Sequence, residues 1–561
     1  MAFSLFHPLR ESLARVFQPS AKAGAPRADV LSARVASSTA LLFQIHHSAD
    51  LGRHAVATAA LVGEPPGTVL LRETSYIWIP TEPGRDSVCH NCALDLAAAK
   101  PSRPGRMTCQ ACDGQTHYCS AKCRDDHAPL HQSICALLRD VPALALHHDC
   151  PPDLVRALLA LVAKRAAGLH SKAESPDRET LPADPLAFEG GPEAFAQMLG
   201  HSGIMDSSTK RSLRALAASL CSRLPEELRP PLDLLLTWAA QINSNSHGLT
   251  RANSVNECLG FGLFPLGSLF NHSCLPNCTY VNEGAQLVFR LLRPVSEGEE
   301  LCVNYTELYA ARDERRAELL AGKSFECRCR RCTLSPAGDE EQRLIGAEPF
   351  VSAVRCDQAE GCRGLLHECE VLADRVGDRS ARWECSACHA RCTYGHILDT
   401  HLTPLRDRLR QAMLLYSQGL AGGAAASLRD TFEALLQTAL VRLHPAHALV
   451  FNCYLPLINC CSALKDYPAK ETYARALVGI ASATLPDYPP LANYLEAFAQ
   501  ALNERSRTTP AVPRDIRKRY AAEAADALQR ALRIYQVCYG PTHPKTIQTR
   551  DKLRRAQAEN K

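Results

Sequence analysis

A chain of 561 residues with 46% hydrophobic and 22% charged residues has the length of about three or four domains and an ordinary globular composition. Its net charge of +4 is too mild to point to nucleic acid, and no apolar run approaches the roughly 18 residues of a membrane helix, so neither direct nucleic-acid binding nor membrane insertion is expected. The 26 cysteines recur in C-x2-C, C-x3-C and H-x3-C pairs, which suit tetrahedral zinc better than a secreted disulfide framework and imply a reducing compartment, nucleus or cytoplasm.

Residues 1–45 carry Arg10, Arg15, Lys22, Arg27 and Arg34 against Glu11 and Asp29. A disordered tail is expected there, with a mitochondrial transit peptide as the alternative. Across 46–88, Val56, Val69, Leu70, Leu71, Tyr76, Ile77 and Ile79 are strand formers around a Pro65-Pro66-Gly67 turn. Residues 89–135 then hold Cys89-x2-Cys92, Cys109-x2-Cys112, Cys119-x3-Cys123 and His131-x3-Cys135, ligands enough for two closed zinc sites. So short a module has little core of its own, and metal binding would supply most of its folding free energy.

Residues 136–240 read as helices. Leu154, Leu158, Leu159, Leu161 and Val162 recur at helical spacing, and Pro230-Pro231 precedes a second apolar helix containing Leu235 and Trp238. A polar stretch from about Ser171 to Pro192 reads as a mobile loop. A strand followed by a turn is expected at Asn243–Ser246. The segment 241–310 contains Asn271-His272-Ser273-Cys274-Leu275-Pro276-Asn277-Cys278 and Gly298-Glu299-Glu300-Leu301-Cys302-Val303-Asn304-Tyr305. Between 311 and 335 lies the triplet Cys327, Cys329 and Cys332, which with distant Cys274 completes a four-thiolate zinc site. Residues 350–395 carry Cys356-x5-Cys362 and Cys385-x2-Cys388 near Trp383, a possible zinc ribbon, with Cys369 and Cys392 as substitute ligands. From 400 to 561 the pattern is helical, with one face formed by Leu405, Leu409, Met413 and Tyr416 and another by Ala524, Leu528, Ala531, Leu532 and Tyr535.

The finger cysteines with Tyr118-Cys119-Ser120, followed by the asparagine-histidine block, the glycine-glutamate segment and the cysteine triplet, resemble the SET and MYND domain (SMYD) family of protein lysine methyltransferases. The resemblance covers about residues 50–335. It implies an α+β fold: a split, β-rich SET domain with an inserted MYND zinc finger and helical insert, a zinc-bound post-SET segment and an all-α, TPR-like C-terminal domain. It also implies alternating finger ligands, with Cys89, Cys92, Cys119 and Cys123 on one zinc and Cys109, Cys112, His131 and Cys135 on the other. Three structural zinc sites are expected, and the ribbon would add a fourth.

By the same resemblance, Gly52, Arg53, Asn245, Ser268, Asn271, His272, Tyr305 and Phe325 line the S-adenosyl-L-methionine pocket, and Tyr305 is the catalytic residue that orients the lysine amine. The partner implied is a protein with a lysine-bearing segment, histone or non-histone, and the finger would take a proline-containing peptide. Two positions depart from the family pattern. Gly52-Arg53-His54 lacks the second glycine of a Gly-x-Gly loop, and Lys323 stands where a tyrosine is common. They favour the competing reading, a catalytically inactive SET/MYND adaptor in transcriptional regulation; Asn271, His272 and Tyr305 favour the enzyme.

Overall fold

Strand-forming residues on either side of the zinc-ligand segment come together in shared sheets. The computed structural model describes residues 41–96, 106–171, 187–189, 191–200, 207–251, 254–369, 378–421, 423–508 and 513–559, with Ser32 and Val35. Apart from Ser32 and Val35, the expected N-terminal tail up to residue 40 falls outside them, as does the greater part of the expected polar loop, 172–186. The chain divides into two units, one of residues 1–272, 276–303 and 321–324, the other of 273–275, 304–320 and 325–561.

In the first unit β1 (Phe43–Ser48) and β2 (Gly52–Ala57) form an antiparallel hairpin. β1 therefore begins three residues inside the stretch expected to be a tail. β3 (Val69–Thr74) pairs antiparallel with β12 (Gln286–Leu291), and β4 (Ile77–Pro80) with β9 (Ser254–Leu263). β8 (Ser246–Arg251) and β11 (Cys278–Glu283) extend these sheets. The two halves of the β-rich part are thus one structure, interrupted in sequence by the finger and the helices. β7 (Ala187–Glu189) adds to β3 in parallel, so the end of the expected mobile loop is a strand.

The finger contributes β5 (Met107–Thr108), β6 (His117–Tyr118) and α1 (Ala121–Leu138). Ser120 caps α1 by accepting from Cys123 N at 3.2 Å. The insert comprises α2 (Val141–His147), α3 (Pro152–Ser171), α4 (Pro192–Ala196), α5 (Ser207–Arg223) and α6 (Leu232–Asn245). Leu154, Leu158 and Leu161 on α3 pack with Leu235, Trp238 and Ile242 on α6 and with Ile77, Ile79 and Phe261 of the sheet in one buried core.

Asn243–Ser246 is not a strand and turn: α6 runs to Asn245 and β8 starts at the next residue. The apolar spacing through Ile242 sustains the last turn. Asn245 Nδ2 donates to Gln241 O at 2.9 Å and Ser246 Oγ to Ile242 O at 2.5 Å, closing it from the side chains.

The second unit contains α7 (Arg312–Lys323) as far as Leu320, α8 (Arg330–Thr333) and α9 (Asp339–Ser352). A four-stranded antiparallel sheet follows, in the order β14 (Val354–Arg355), β15 (Leu365–Glu368), β16 (Arg382–Cys385), β17 (Arg391–Thr393). Helices then begin at α10 (Tyr394–Ile397), earlier than residue 400, and pass through a π-helical turn, Leu398–Leu402, into α11 (Thr403–Ser417). α12 (Ala424–Arg442), α13 (Ala448–Leu464), α14 (Tyr467–Thr484), α15 (Pro489–Thr508), α16 (Arg514–Cys538) and α17 (Pro544–Glu559) pack each on the next. Among the described residues no helix is long and apolar enough to cross a membrane.

Candidate cofactor and metal sites

Among the described residues, four clusters of four cysteine or histidine ligand atoms, each within 4.8 Å of one another, form from residues far apart in sequence. In the finger they are Cys89, Cys92, Cys119 and Cys123, and separately Cys109, Cys112, His131 and Cys135. Cys92 and Cys119 sulfurs lie 3.7 Å apart, Cys109 and Cys135 3.9 Å, and His131 Nε2 is 3.3 Å from Cys109 Sγ. A zinc–sulfur bond of about 2.3 Å gives a tetrahedron with edges of about 3.8 Å, so these spacings are those of a shared ion and far exceed a disulfide.

In the second unit Cys274 gathers with Cys327, Cys329 and Cys332, its sulfur 3.7 Å from that of Cys332. Cys356, Cys362, Cys385 and Cys388 form the fourth group, with sulfur separations of 3.7 Å and 3.6 Å. Cys369 and Cys392 take no part in it. Behind Cys274 sits a charge cluster with no local sequence signal: Arg315 Nε donates to Cys274 Sγ at 3.3 Å, and Arg315 and Arg331 both donate to Glu348, at 2.7 and 2.5 Å. All three charged side chains are buried. Two arginines on one carboxylate leave net positive charge beside thiolates, which offsets the negative charge of a zinc tetrathiolate.

Of the candidate cofactor residues of the first unit, Gly52 and Arg53 lie at the turn of the β1–β2 hairpin and Asn271 bonds to it. β10 (Asn271–His272) pairs in parallel with β13 (Cys302–Val303). The hairpin lies along the glycine-glutamate segment, with Ala57 N donating to Glu299 O and Leu301 N to Ala55 O, at 2.9 and 2.8 Å. Asn271 Nδ2 donates to Leu51 O at 3.3 Å and to Glu300 Oε1 at 2.9 Å, fixing β10 to the hairpin turn. Gly52 adopts φ +65°, and a Cβ there would meet no protein atom within 4 Å, so its Cα faces open space. His54 does not fill that space: it is buried, with Nδ1 3.0 Å from Gly52 O.

A segment that carried no sequence signal joins the remaining residues. Arg53 donates to Gln197 O, and Asn245 Nδ2 to Leu199 O at 2.7 Å. Lys323, the unusual residue, donates from Nζ to Ser244 O at 2.8 Å, next to Asn245. Burial, and then the Lys323 ammonium, hold the neighbouring His247 imidazole down to about 4, so it is neutral. Ser268 Oγ donates to Pro265 O at 2.9 Å.

Two further residues position this region and were not singled out from sequence. Asn277 donates to Glu300 O at 2.8 Å and accepts from Cys302 N at 2.7 Å, which braces β13. Fully buried Glu73 on β3 accepts from Leu266 N at 2.9 Å and Gly267 N at 2.6 Å, holding the turn that presents Ser268 and leads to Asn271. Burial pushes its carboxyl up to about 8, against those two backbone donors, which act to lower it.

Tyr305 follows β13 by two residues and, like Phe325, belongs to the second unit, where both are half-buried. Its neighbours are anchored there. Asn304 accepts from the Tyr488 hydroxyl, Thr306 donates to Glu318, and Tyr309 donates to Ala446 O at 2.7 Å while stacking on Phe451.

The family model for the SET domain matches residues 97–306. The chain is 30% identical over 272 residues to histone-lysine N-methyltransferase SMYD3 of Homo sapiens, covering 48% of this chain and 56% of that protein. It is 25% identical over 306 residues to N-lysine methyltransferase SMYD2 of Homo sapiens, covering 54% and 64%. A SET and MYND domain-containing protein of Dictyostelium discoideum is 23% identical over 389 residues, 62% of this chain and 95% of its own. The chain thus spans little more than half the length of the human relative with which it shares 30% identity. With paired finger clusters, a β-rich part assembled across the finger and a helical C-terminal region, the chain is similar to SET and MYND domain proteins.

Proposed function

We propose that this chain is an S-adenosyl-L-methionine-dependent protein-lysine N-methyltransferase acting on a lysine-bearing segment of a histone or another protein. The observation that carries the reading is the parallel pairing of β10 with β13, which sets Asn271 and His272 beside the strand that runs on to Tyr305. The match of residues 97–306 to the SET family supports it.

The residues suit the cofactor chemically. Asn245, Ser268, Asn271 and His272 are polar side chains, and Gly52 borders open space; with the backbone of Arg53 they would hold the amino-acid and nucleoside portions. When bound, the cofactor supplies a methyl group already activated by its sulfonium. The protein's task is then positioning. Tyr305 would orient the lysine amine through its hydroxyl, and Phe325 would pack against the adenine or the lysine channel. A lysine with an ordinary pKa of about 10.4 must be neutral to react, and an apolar channel favours loss of its proton. The four clusters each supply a full set of four ligands, so a zinc bound there has no open position for substrate and its role is structural. The finger would offer a docking surface for a proline-containing peptide.

The test is methyl transfer from labelled cofactor to a peptide array by zinc-loaded protein. Tyr305→Phe should slow transfer by about tenfold to a hundredfold, with cofactor affinity unchanged. An unchanged rate would remove Tyr305 from the mechanism.

A further inference from the structure

Asp357, His396 and His401, in the second unit, bring their ligand atoms within 4.8 Å of one another, apart from the cysteine clusters. The Nε2 atoms of both histidines lie 3.0 Å from a single oxygen, Asp357 Oδ2. Bonds of about 2.1 Å to one octahedral ion give ligand-to-ligand edges of about 3.0 Å, so the spacing suits a shared ion.

Backbone geometry supports the same reading. His396 and His401 are five residues apart, which in an α-helix puts them about 140° from each other round the axis. The π-helical turn Leu398–Leu402 widens the backbone between them, and with its i→i+5 repeat both imidazoles reach the same carboxylate.

Hydrogen bonding alone leaves a conflict. Gln358 Nε2 donates to the second oxygen of Asp357 and also lies 3.0 Å from His396 Nε2. If His396 Nε2 carries a proton, two donors face each other. If it does not, its lone pair faces Asp357 Oδ2. Turning the Gln358 amide round sets its oxygen against Asp357 instead. A cation between His396 Nε2 and Oδ2 relieves the contact of their lone pairs.

We propose that Asp357, His396 and His401 form a further metal site for a six-coordinate divalent transition ion, with coordination positions open to water or an exogenous ligand. Two imidazoles and one carboxylate are a donor set for such ions. His401 is buried, while the side chains of His396 and Asp357 are 38% and 31% exposed, so the site faces solvent on one side. Its ligands come from the loop after β14 and from the first helical turns after β17. Bound metal fastens the cysteine-bearing sheet to the start of the helical array, all within the second unit.

The test uses full-length, zinc-loaded protein, washed with dilute citrate and titrated with cobalt(II) chloride, with zinc and cobalt per chain counted by elemental analysis. The wild type should hold one metal ion per chain more than His396→Ala, whose half-exposed position leaves folding intact, and Asp357→Asn should match that variant. Cobalt bound there should show weak visible bands without thiolate-to-cobalt charge transfer. His396→Ala should lower cobalt affinity by about tenfold or more. Equal total metal in wild type and His396→Ala, or cobalt absorbing only through thiolate, would overturn the proposal. Circular dichroism of His396→Ala and Asp357→Asn separates metal loss from misfolding, and a variant shown misfolded is replaced in the comparison by the other.

Discussion

Replacing Glu73 by glutamine should reverse the order of stability between variant and wild type as pH rises. The carboxyl is wholly buried, and its pKa in the folded chain is about 8 against an ordinary 4.5. Because the folded value is raised, the folded chain holds a proton that the unfolded chain releases. The stability this proton contributes is complete below pH 4.5 and is lost as pH climbs through 8. Each pH step between the two values costs about 1.4 kcal/mol, so the whole interval is worth about 5 kcal/mol at most. Leu266 N and Gly267 N bond to different oxygens of Glu73, so glutamine keeps one acceptor and sets its amide N–H2 against the other donor, a cost of about 1–3 kcal/mol that does not vary with pH. Glu73→Gln should therefore melt below wild type at pH 5 and above it at pH 9. Thermal unfolding of zinc-loaded protein, followed by tryptophan fluorescence across that range, measures the crossing. A difference in melting temperature that stays constant from pH 5 to pH 9 would refute the reasoning.

Glu348→Gln should destabilise the second unit by about 3 kcal/mol, the low end for breaking a buried ion pair, because Arg315 keeps its contact with Cys274 while Arg331 loses its counter-ion. Urea unfolding followed by far-ultraviolet circular dichroism reads this, with Glu341→Gln, from a partly exposed pair with Arg330, as a control expected to change stability by about 1 kcal/mol or less. Tyr488→Phe removes the hydroxyl that holds Asn304 and should lower kcat by about tenfold with little change in cofactor affinity. Cys92→Ser should let a chelator unfold the finger at concentrations that wild type withstands, as monitored by zinc release.

The ligand pairs of the metal clusters were legible in the sequence because ligand spacing is local chemistry, whereas their alternation in the finger came from the family resemblance. Pairs such as Cys119-x3-Cys123 announce themselves, and distant Cys274 supplied the fourth thiolate that Cys327, Cys329 and Cys332 lacked. Helical faces such as that of Ala524, Leu528 and Tyr535 were legible for the same reason, since amphipathic period is a local pattern. Glu73 was not. In a strand a lone glutamate reads as a solvent-facing position, and only the backbone donors of Leu266 and Gly267, almost two hundred residues on, explain its burial. The links from Arg53 to Gln197 and from Asn245 to Leu199 are likewise tertiary. The run Asn243–Ser246 misled because asparagine and serine favour turns in isolation, whereas here Asn245 and Ser246 bond back to the last turn of α6. The π-helical turn at Leu398–Leu402 has no sequence signature at all, yet it is what brings His396 and His401 to one carboxylate.

The most direct measurement of the central claim is calorimetric titration of zinc-loaded wild-type protein and Asn271→Ala with S-adenosyl-L-methionine. One cofactor should bind per wild-type chain, and Asn271→Ala, losing its hold on the hairpin turn, should bind about tenfold or more weakly. Folded, zinc-loaded wild type that takes up no cofactor would contradict the enzyme and leave the adaptor.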